Sequence, residues 1–298
     1  MKKTTEFKKL IMDEEILVLP FVVDALTAIL AQKAGFKAIG RGGASGHHIL
    51  GMPDLELATL TEIADWTGKI VDAVDIPVLA DVDTGFGNST NVIRTVNLLE
   101  KAGAAGIFFE DQVSPKRCGE TGGVQVIPVE DMVAKIQAAV QTRKDPDFII
   151  TARTDSLSCM GLDESIRRGN IYHEAGADVI FIVSPESIEQ LQRIGSEVKA
   201  PKMLCIMHGG VTPILPPKEY QDLGFNLVFY PGMCMGKIVY EVNNMFEDFA
   251  KNQDLNRLTD KIISFKDVFN IVGLKEVRSN EAQLAETAKK IVQAYESK

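Results

Sequence analysis

The chain has 298 residues, with 32 Lys+Arg against 41 Asp+Glu and a formal net charge of −9. Hydrophobic residues make up 45% and charged ones 24%, the balance of a soluble globular protein long enough for two ordinary domains or one large barrel. The acidic excess argues against a general nucleic-acid binder, and an anionic ligand would need clustered Arg/Lys or a metal ion to hold it.

The first residues, MKKTTEFKKLIMDEE, are charged and lack the apolar core of a signal peptide. The longest apolar stretches are strand-sized, far below the roughly 20 residues of a membrane helix. Cys118, Cys159, Cys205 and Cys234 form no CxxC pair. They are read as reduced thiols of a cytoplasmic protein without membrane or nucleic-acid partners.

Eight short apolar runs read as strands: Ile16–Phe21, Ala38–Arg41, Pro77–Asp81, Gly106–Glu110, Phe148–Arg153, Asp178–Ile182, Lys202–Ile206 and Asn226–Tyr230. Nearly continuous apolarity is what parallel strands buried on both faces require. Between them lie amphipathic segments with helical spacing: Ala25–Ala34, Leu60–Val74, Asn91–Ala102, Val129–Gln141, Glu164–Ala175 and Ile188–Val198. The phrases KAGFKAIG, KAGAAGIFF and EAGADVIFI each put Gly where a helix must turn into a strand. This pattern predicts a (β/α)8 barrel, a fold of about 250 residues. A doubly wound sheet is the rival, but no GxGxxG follows the first strand. The expected boundaries are a catalytic barrel over residues 1–253 and a helical extension over 254–298. The apolar stripe of Asn280–Glu296 is expected to pack on the barrel or on a partner subunit.

A barrel of this class carries its active site at the C-terminal strand ends. Those ends are unusually polar here. Arg41-Gly42-Gly43 follows strand 2, with Asp54 further along the loop. Asp81-Val82-Asp83 follows strand 3, and Glu110-Asp111-Gln112 follows strand 4. Arg153-Thr154-Asp155 ends strand 5, strand 6 leads to Glu186, and strand 7 leads to His208. Asp81 and Asp83 alternate with Val82, so an extended backbone would point both carboxylates one way. With Asp54 and Glu110 they make a four-carboxylate cluster that needs a cation to stay ionised in a closed cavity. All-oxygen ligands suit Mg²⁺, or Mn²⁺, with several waters retained.

Cys118 lies between Arg117 and Gly119 in a Gly-rich loop that also holds Lys116 and could close as a lid. Neighbouring cations favour a thiolate, and the sulfur could act as acid, base or nucleophile. The other three cysteines read as packing. Arg153 could clamp a substrate carboxylate or pair with the site's own acids. His47 and His48 are adjacent and have no Cys at ligand spacing, so no zinc site is expected; of the histidines only His208 is placed for chemistry.

These residues, in this order, resemble the isocitrate lyase and phosphoenolpyruvate mutase superfamily. The matches are AGFKAI…GMPDLELATL, PVLADVDTGFGN, KAGAAGIFFEDQ, KRCG, DPDFIITARTD and GLDES…EAGADVIF, running from about Pro20 to Tyr230. KRCG after EDQ is similar to the 2-methylisocitrate lyase and 2,3-dimethylmalate lyase branch. The resemblance implies a barrel whose final helix is exchanged between subunits, in a homotetramer. It also implies Mg²⁺ near Asp81 and Asp83, supported by Asp54 and Glu110. Backbone N–H groups of Gly42 and Gly43 would meet the substrate, Arg153 would bind its carboxylate, Lys116 and Gly119 would lie in the catalytic loop, Glu186 would lie near the pocket, and Cys118 would be the general acid. The activity implied is Mg²⁺-dependent carbon–carbon cleavage of a 2-hydroxy di- or tricarboxylic acid to a 2-oxo acid, pyruvate or glyoxylate.

This chain departs from that pattern. Glu120 stands where the lyases have His, Val124 where they have Lys, and Arg41 where they have Ser. The tyrosine near the end of strand 2 is missing, and Cys205 and His208 align with an Asn and a Glu. Either Glu120 and His208 are a swapped ion pair, or the distal group of the substrate differs and Arg41 takes over part of its binding. Two alternatives to the lyase reading are an oxaloacetate hydrolase or decarboxylase, and a metabolite-binding relative without turnover. A Glu120→His variant tests the specificity role of that position: a gain of methylisocitrate cleavage is expected if Glu120 is the main determinant, and no gain removes it from that role.

Overall fold

The eight predicted apolar runs form eight strands: β1 Leu17–Val22, β2 Ile39–Arg41, β3 Val78–Asp81, β4 Gly106–Glu110, β5 Ile149–Thr154, β6 Val179–Ile182, β7 Lys202–Cys205 and β8 Leu227–Tyr230. All neighbours pair in parallel, and β1 pairs with β8, so the sheet closes as a barrel in chain order. The computed structural model describes residues 1–119 and 122–297. Glu120 lies outside the described residues.

Alternation along each strand sorts side chains into two cores. Leu79, Phe108, Ile149, Val179, Phe181, Met203, Leu227 and Phe229 belong to the cluster inside the barrel. Ala80, Phe109, Ile150, Ile180, Leu204 and Val228 face outward, packed with Ile63, Val96, Met132, Ile136 and Leu191 of the surrounding helices. Helix starts follow local chemistry. Asp24, Thr59 and Asn88 each cap a helix with a reciprocal side-chain box, which satisfies amide groups that the first turn leaves open.

Inside the barrel, Phe21, Phe108, Phe181 and Phe229 meet ring to ring, with centroids 4.5 Å apart for Phe21–Phe229 and 5.3 Å for Phe181–Phe229. Gly40 of β2 makes room for this layer: a Cβ there would lie 2.0 Å from the Phe21 ring.

Helix Lys3–Ile11 was not foreseen among the charges of the N-terminus. Its apolar pair Phe7 and Ile11 sits one turn apart and joins the interior cluster. Lys8 reaches Asp147 at 2.9 Å, and Lys3 donates to the carbonyls of Val71 and Val74.

The chain divides into two compact units, Met1–Ile238 and Val239–Lys298. The second comprises the later part of helix Met233–Asn252, a short turn at Leu255–Arg257, and helices Phe265–Ile271 and Leu274–Glu296. Leu258 is buried there, whereas Phe246, Ile263, Phe265, Leu284, Ile291 and Tyr295 are exposed. No helix among the described residues is long and apolar enough to cross a membrane.

Phe7 is fully buried, so Phe7→Ala is expected to lower the free energy of unfolding by about 3–5 kcal/mol, through lost burial and a residual cavity. Lys9→Ala, on the exposed face of the same helix, is the control expected to change it by less than about 0.5 kcal/mol in urea titrations.

Candidate active site

Strand parity decides which polar side chains share the barrel mouth. Asp81, Glu110 and Arg153 continue the inward rows of Leu79, Phe108 and Ile149. Asp83 continues the same row by a different route: its φ of 47° is left-handed, and its N–H donates to Asp81 Oδ1 at 3.1 Å. Asp81 Oδ2 in turn accepts from the Gly43 N–H at 2.8 Å. Gly43 is required there, because a Cβ would stand 2.7 Å from Asp83 Oδ1 and 3.2 Å from Asp81 Oδ2.

Above this pair lies a cavity of about 540 Å³. Gly42, Asp54, Asp81, Lys116, Cys118, Gly119 and Arg153 line it, together with His48, which the sequence did not single out. Asp83 and Glu110 are fully buried beside it. Glu186 and His208 are exposed and do not line it. Arg41 does not line it either. Its neighbour Ile39 packs outward with Ile70 and Val78, and by the two-residue period Arg41 faces outward too. Its guanidinium lies over the Trp66 ring, donates to Thr67 Oγ1 at 2.9 Å and to the Asp81 carbonyl, and keeps Nη1 unpartnered. Burial pulls the Arg41 pKa down to about 10, against the attraction of Asp81 and Asp83.

Lys116 carries the charge balance of the mouth. Its Nζ lies 2.5 Å from Asp54 Oδ1 and 3.1 Å from Asp83 Oδ1. Burial disfavours the ammonium, but Glu110, Asp83, Asp54 and Asp81 outweigh it and hold Lys116 well above its usual range. The acids are correspondingly short of positive charge. Burial pushes Asp83 up despite Lys116, and pushes Glu110 well up despite Arg153 and Lys116. No oxygen of the Asp83 or Glu110 carboxylates accepts a hydrogen bond.

Arg153 is held on two edges. Its Nε and Nη2 bind the two oxygens of Asp155, each at 2.8 Å, and its Nη1 lies 3.3 Å from Glu110 Oε2. Asp155 is itself fixed: its N–H donates to Asp111 Oδ1 at 3.0 Å, and its Oδ1 accepts from Gln112 Nε2 at 3.0 Å. Asp111 Oδ2 gathers Thr154 Oγ1, Tyr172 Oη and Arg168 Nη1 within 2.9 Å. The Gln112 side chain also brackets the residue before Cys118, accepting from the Arg117 N–H at 3.0 Å and donating to its carbonyl at 2.9 Å. Asp155, Asp111 and Gln112 thus brace the guanidinium and the cysteine segment from the adjacent ends of β4 and β5.

The mouth is chemically two-sided. Acids and cations converge from the ends of β3, β4 and β5, while Phe181, Val183, Met207, Phe229 and Met235 present the other wall without a charge. Such a site can orient an anionic head group beside a cation and receive an apolar remainder. Among the described residues no three His, Cys, Asp or Glu side chains converge as metal ligands. Mg²⁺ needs only one or two carboxylates, since water and substrate fill its other positions. The buried oxygens of Asp83 and Glu110 beside Asp81, which accept no hydrogen bond among the described residues, fit that donor set.

The profile of the family described as phosphoenolpyruvate phosphomutase matches residues 7–250. The chain is 38% identical to the 2,3-dimethylmalate lyase of Eubacterium barkeri over 288 residues, 96% of this chain and 99% of that one. It is 35% identical to the 2-methylisocitrate lyase of Aeropyrum pernix, over 96% of this chain and 92% of that one. The structure of an oxaloacetate acetylhydrolase bound to 3,3-difluorooxalacetate superposes with a TM-score of 0.90 at 28% identity, covering 95% and 97% of the two chains.

Asp155→Ala would leave the largely buried Arg153 with Glu110 as its one ion-pair partner among the described residues. Removing one partner of such a pair is expected to destabilise the protein by about 3–5 kcal/mol in denaturant titrations. Asp65→Ala, which breaks the exposed Lys69 pair, is expected to leave the midpoint nearly unchanged.

Proposed function

The chain belongs to the phosphoenolpyruvate mutase and isocitrate lyase superfamily, close to its methylisocitrate lyase and dimethylmalate lyase branch, and on that premise we propose that it is a Mg²⁺-dependent carbon–carbon lyase acting on a 2-hydroxy acid. The observation that carries this reading is the arrival of Cys118, Arg153 and the Asp81 carboxylate, with Asp83 behind it, at one cavity. Asp81 and Asp83, with Asp54 and Glu110 around them, would hold the ion. Bound there, it would polarise the substrate's carboxylate and hydroxyl oxygens and acidify the hydroxyl.

Each residue then has a task. Arg153, its other edge fixed by Asp155, turns Nη1 toward the substrate carboxylate. Lys116 holds Asp54 and Asp83 in place from one ammonium. Loss of the hydroxyl proton to water lets the bond between C2 and C3 break; C2 becomes the carbonyl of the 2-oxo acid, and the electron pair remains on C3 as the enolate of a carboxylic acid. The Cys118 thiol gives its proton to C3 and is left as thiolate, to be reprotonated from water. The uncharged wall from Phe181 to Met235 keeps competing water away and favours an alkyl group on the substrate over a third carboxylate.

Mn²⁺ would serve the same oxygen ligands. We assign the exposed apolar side chains of the second unit to contacts with partner subunits, as in a homotetramer with exchanged helices; patches of this kind mark association surfaces. Oxaloacetate hydrolysis is the second reading, favoured by the superposition on an oxaloacetate acetylhydrolase.

The test, in the presence of Mg²⁺, follows release of 2-oxo acid from 2-alkylmalates and 2-methylisocitrate, and of oxalate and acetate from oxaloacetate. The 2-alkylmalates are expected to be preferred by about tenfold or more in kcat/KM, the scale of one or two methylenes in an apolar pocket. Cys118→Ser is expected to lower kcat by about 10²–10⁴, the usual range for losing a general acid, with Mg²⁺ binding by calorimetry retained. Oxalate and acetate formation from oxaloacetate, without cleavage of any 2-alkylmalate, would replace the lyase reading with the second one.

A further inference from the structure

Glu56 belongs to none of the roles above, yet it occupies the junction of three loops at the barrel mouth. It lies two residues beyond Asp54 in the loop between helices Gly43–Ile49 and Leu60–Asp72. Its φ of 57° is left-handed, a region that a side-chain-bearing residue adopts only when its surroundings hold it there. Three donors do so. Thr84 Oγ1 donates to its Oε1; Ser114 Oγ donates to its Oε2 at 2.7 Å; and the Lys116 N–H donates to the same Oε2 at 3.1 Å. Lys135 supports the arrangement from below, with its buried Nζ donating to the Thr84 carbonyl at 3.1 Å and its charge attracted by Glu56.

The consequence lies in which atoms are gripped. Asp54 binds the side-chain nitrogen of Lys116, and Glu56 binds its backbone nitrogen. Two carboxylates of one loop thereby clamp both ends of one residue of the other loop, two positions before Cys118. Gln112 holds Arg117 from the strand side. A backbone hydrogen bond to a carboxylate fixes the path of the chain in a way that a flexible lysine side chain does not.

We propose that Glu56 is a positioning residue for Cys118: it seats the Ser114–Cys118 segment on the loop that carries Asp54, so that the thiol and the carboxylate cluster keep one register. The proposal deepens the lyase reading, and it stands on contacts that exist without substrate. Glu56→Gly suits the left-handed backbone and removes the carboxylate. Glu56→Gln keeps the shape and one carbonyl acceptor, so it restores part of the grip if the fold tolerates it.

The test follows alkylation of Cys118 by iodoacetamide in the full-length protein without substrate, resolved by peptide mass spectrometry, with the exposed Cys159 as internal reference. In Glu56→Gly the Cys118 rate is expected to rise about tenfold, the scale of losing a charge-assisted hydrogen bond from a local docking equilibrium, while the Cys159 rate holds. Glu56→Gln is expected to fall between the two. On any substrate that the enzyme turns over, Glu56→Gly is expected to lower kcat more than it raises KM, as for an acid displaced from its reacting atom. A Cys118 rate within about twofold of the native protein in both variants overturns the proposal, because a seated segment must become more accessible on release. A parallel rise at Cys159 overturns it too, since that marks general loosening. Failure to cleave any 2-hydroxy acid would overturn the lyase reading alone and leave the alkylation result standing.

Discussion

One lysine shared among several buried carboxylates governs the mouth of this barrel. Lys116 touches Asp54 and Asp83 and lies in the field of Glu110 and Asp81. The surrounding acids hold the Lys116 ammonium strongly, while burial pushes Asp83 and Glu110 up against the pull of Lys116 and, for Glu110, Arg153. Buried charge of one sign persists only where further positive charge is available or the acids take up protons.

Rigidity at the site comes from buried polar contacts that are each completed by another. Arg153 is gripped by Asp155, Asp155 by Asp111 and Gln112, and Asp111 by Arg168, Tyr172 and Thr154. Removing any member leaves a buried polar group short of a partner, so the network tolerates little drift. On the opposite wall Phe181, Val183, Met207, Phe229 and Met235 carry no charge, and such side chains can be exchanged for others of similar volume at small cost. The two halves of the mouth therefore answer to different constraints, one electrostatic and one volumetric.

Strands and most helices were legible because burial on both faces leaves an uninterrupted apolar run, and amphipathic spacing marks the helices between. The convergence of Asp81, Lys116, Cys118 and Arg153 followed from reading only strand ends and the loop after strand 4. Arg41 shows where such reading falls short. Its place at a strand end is visible, but its side depends on whether β2 is counted from Ile39 or Gly40, and Gly40 gives no apolar signal for the inward row. Glu56 was illegible for another reason: its partners lie 28 to 60 positions away, and a single glutamate in a polar loop has no periodicity to betray it. Helix Lys3–Ile11 was hidden because two apolar residues among charges form too thin a stripe to register.

The layer of phenylalanine rings has a consequence for traffic. Phe21, Phe108, Phe181 and Phe229 border the cavity, and Phe7 and Ile11 pack in the same interior cluster, so the barrel axis is sealed from below. Among the described residues the way to Asp81 and Asp83 therefore leads through the mouth at the strand ends, which a substrate would share. On the proposed reading the ion would lodge deepest, so it would enter before the acid and leave after it.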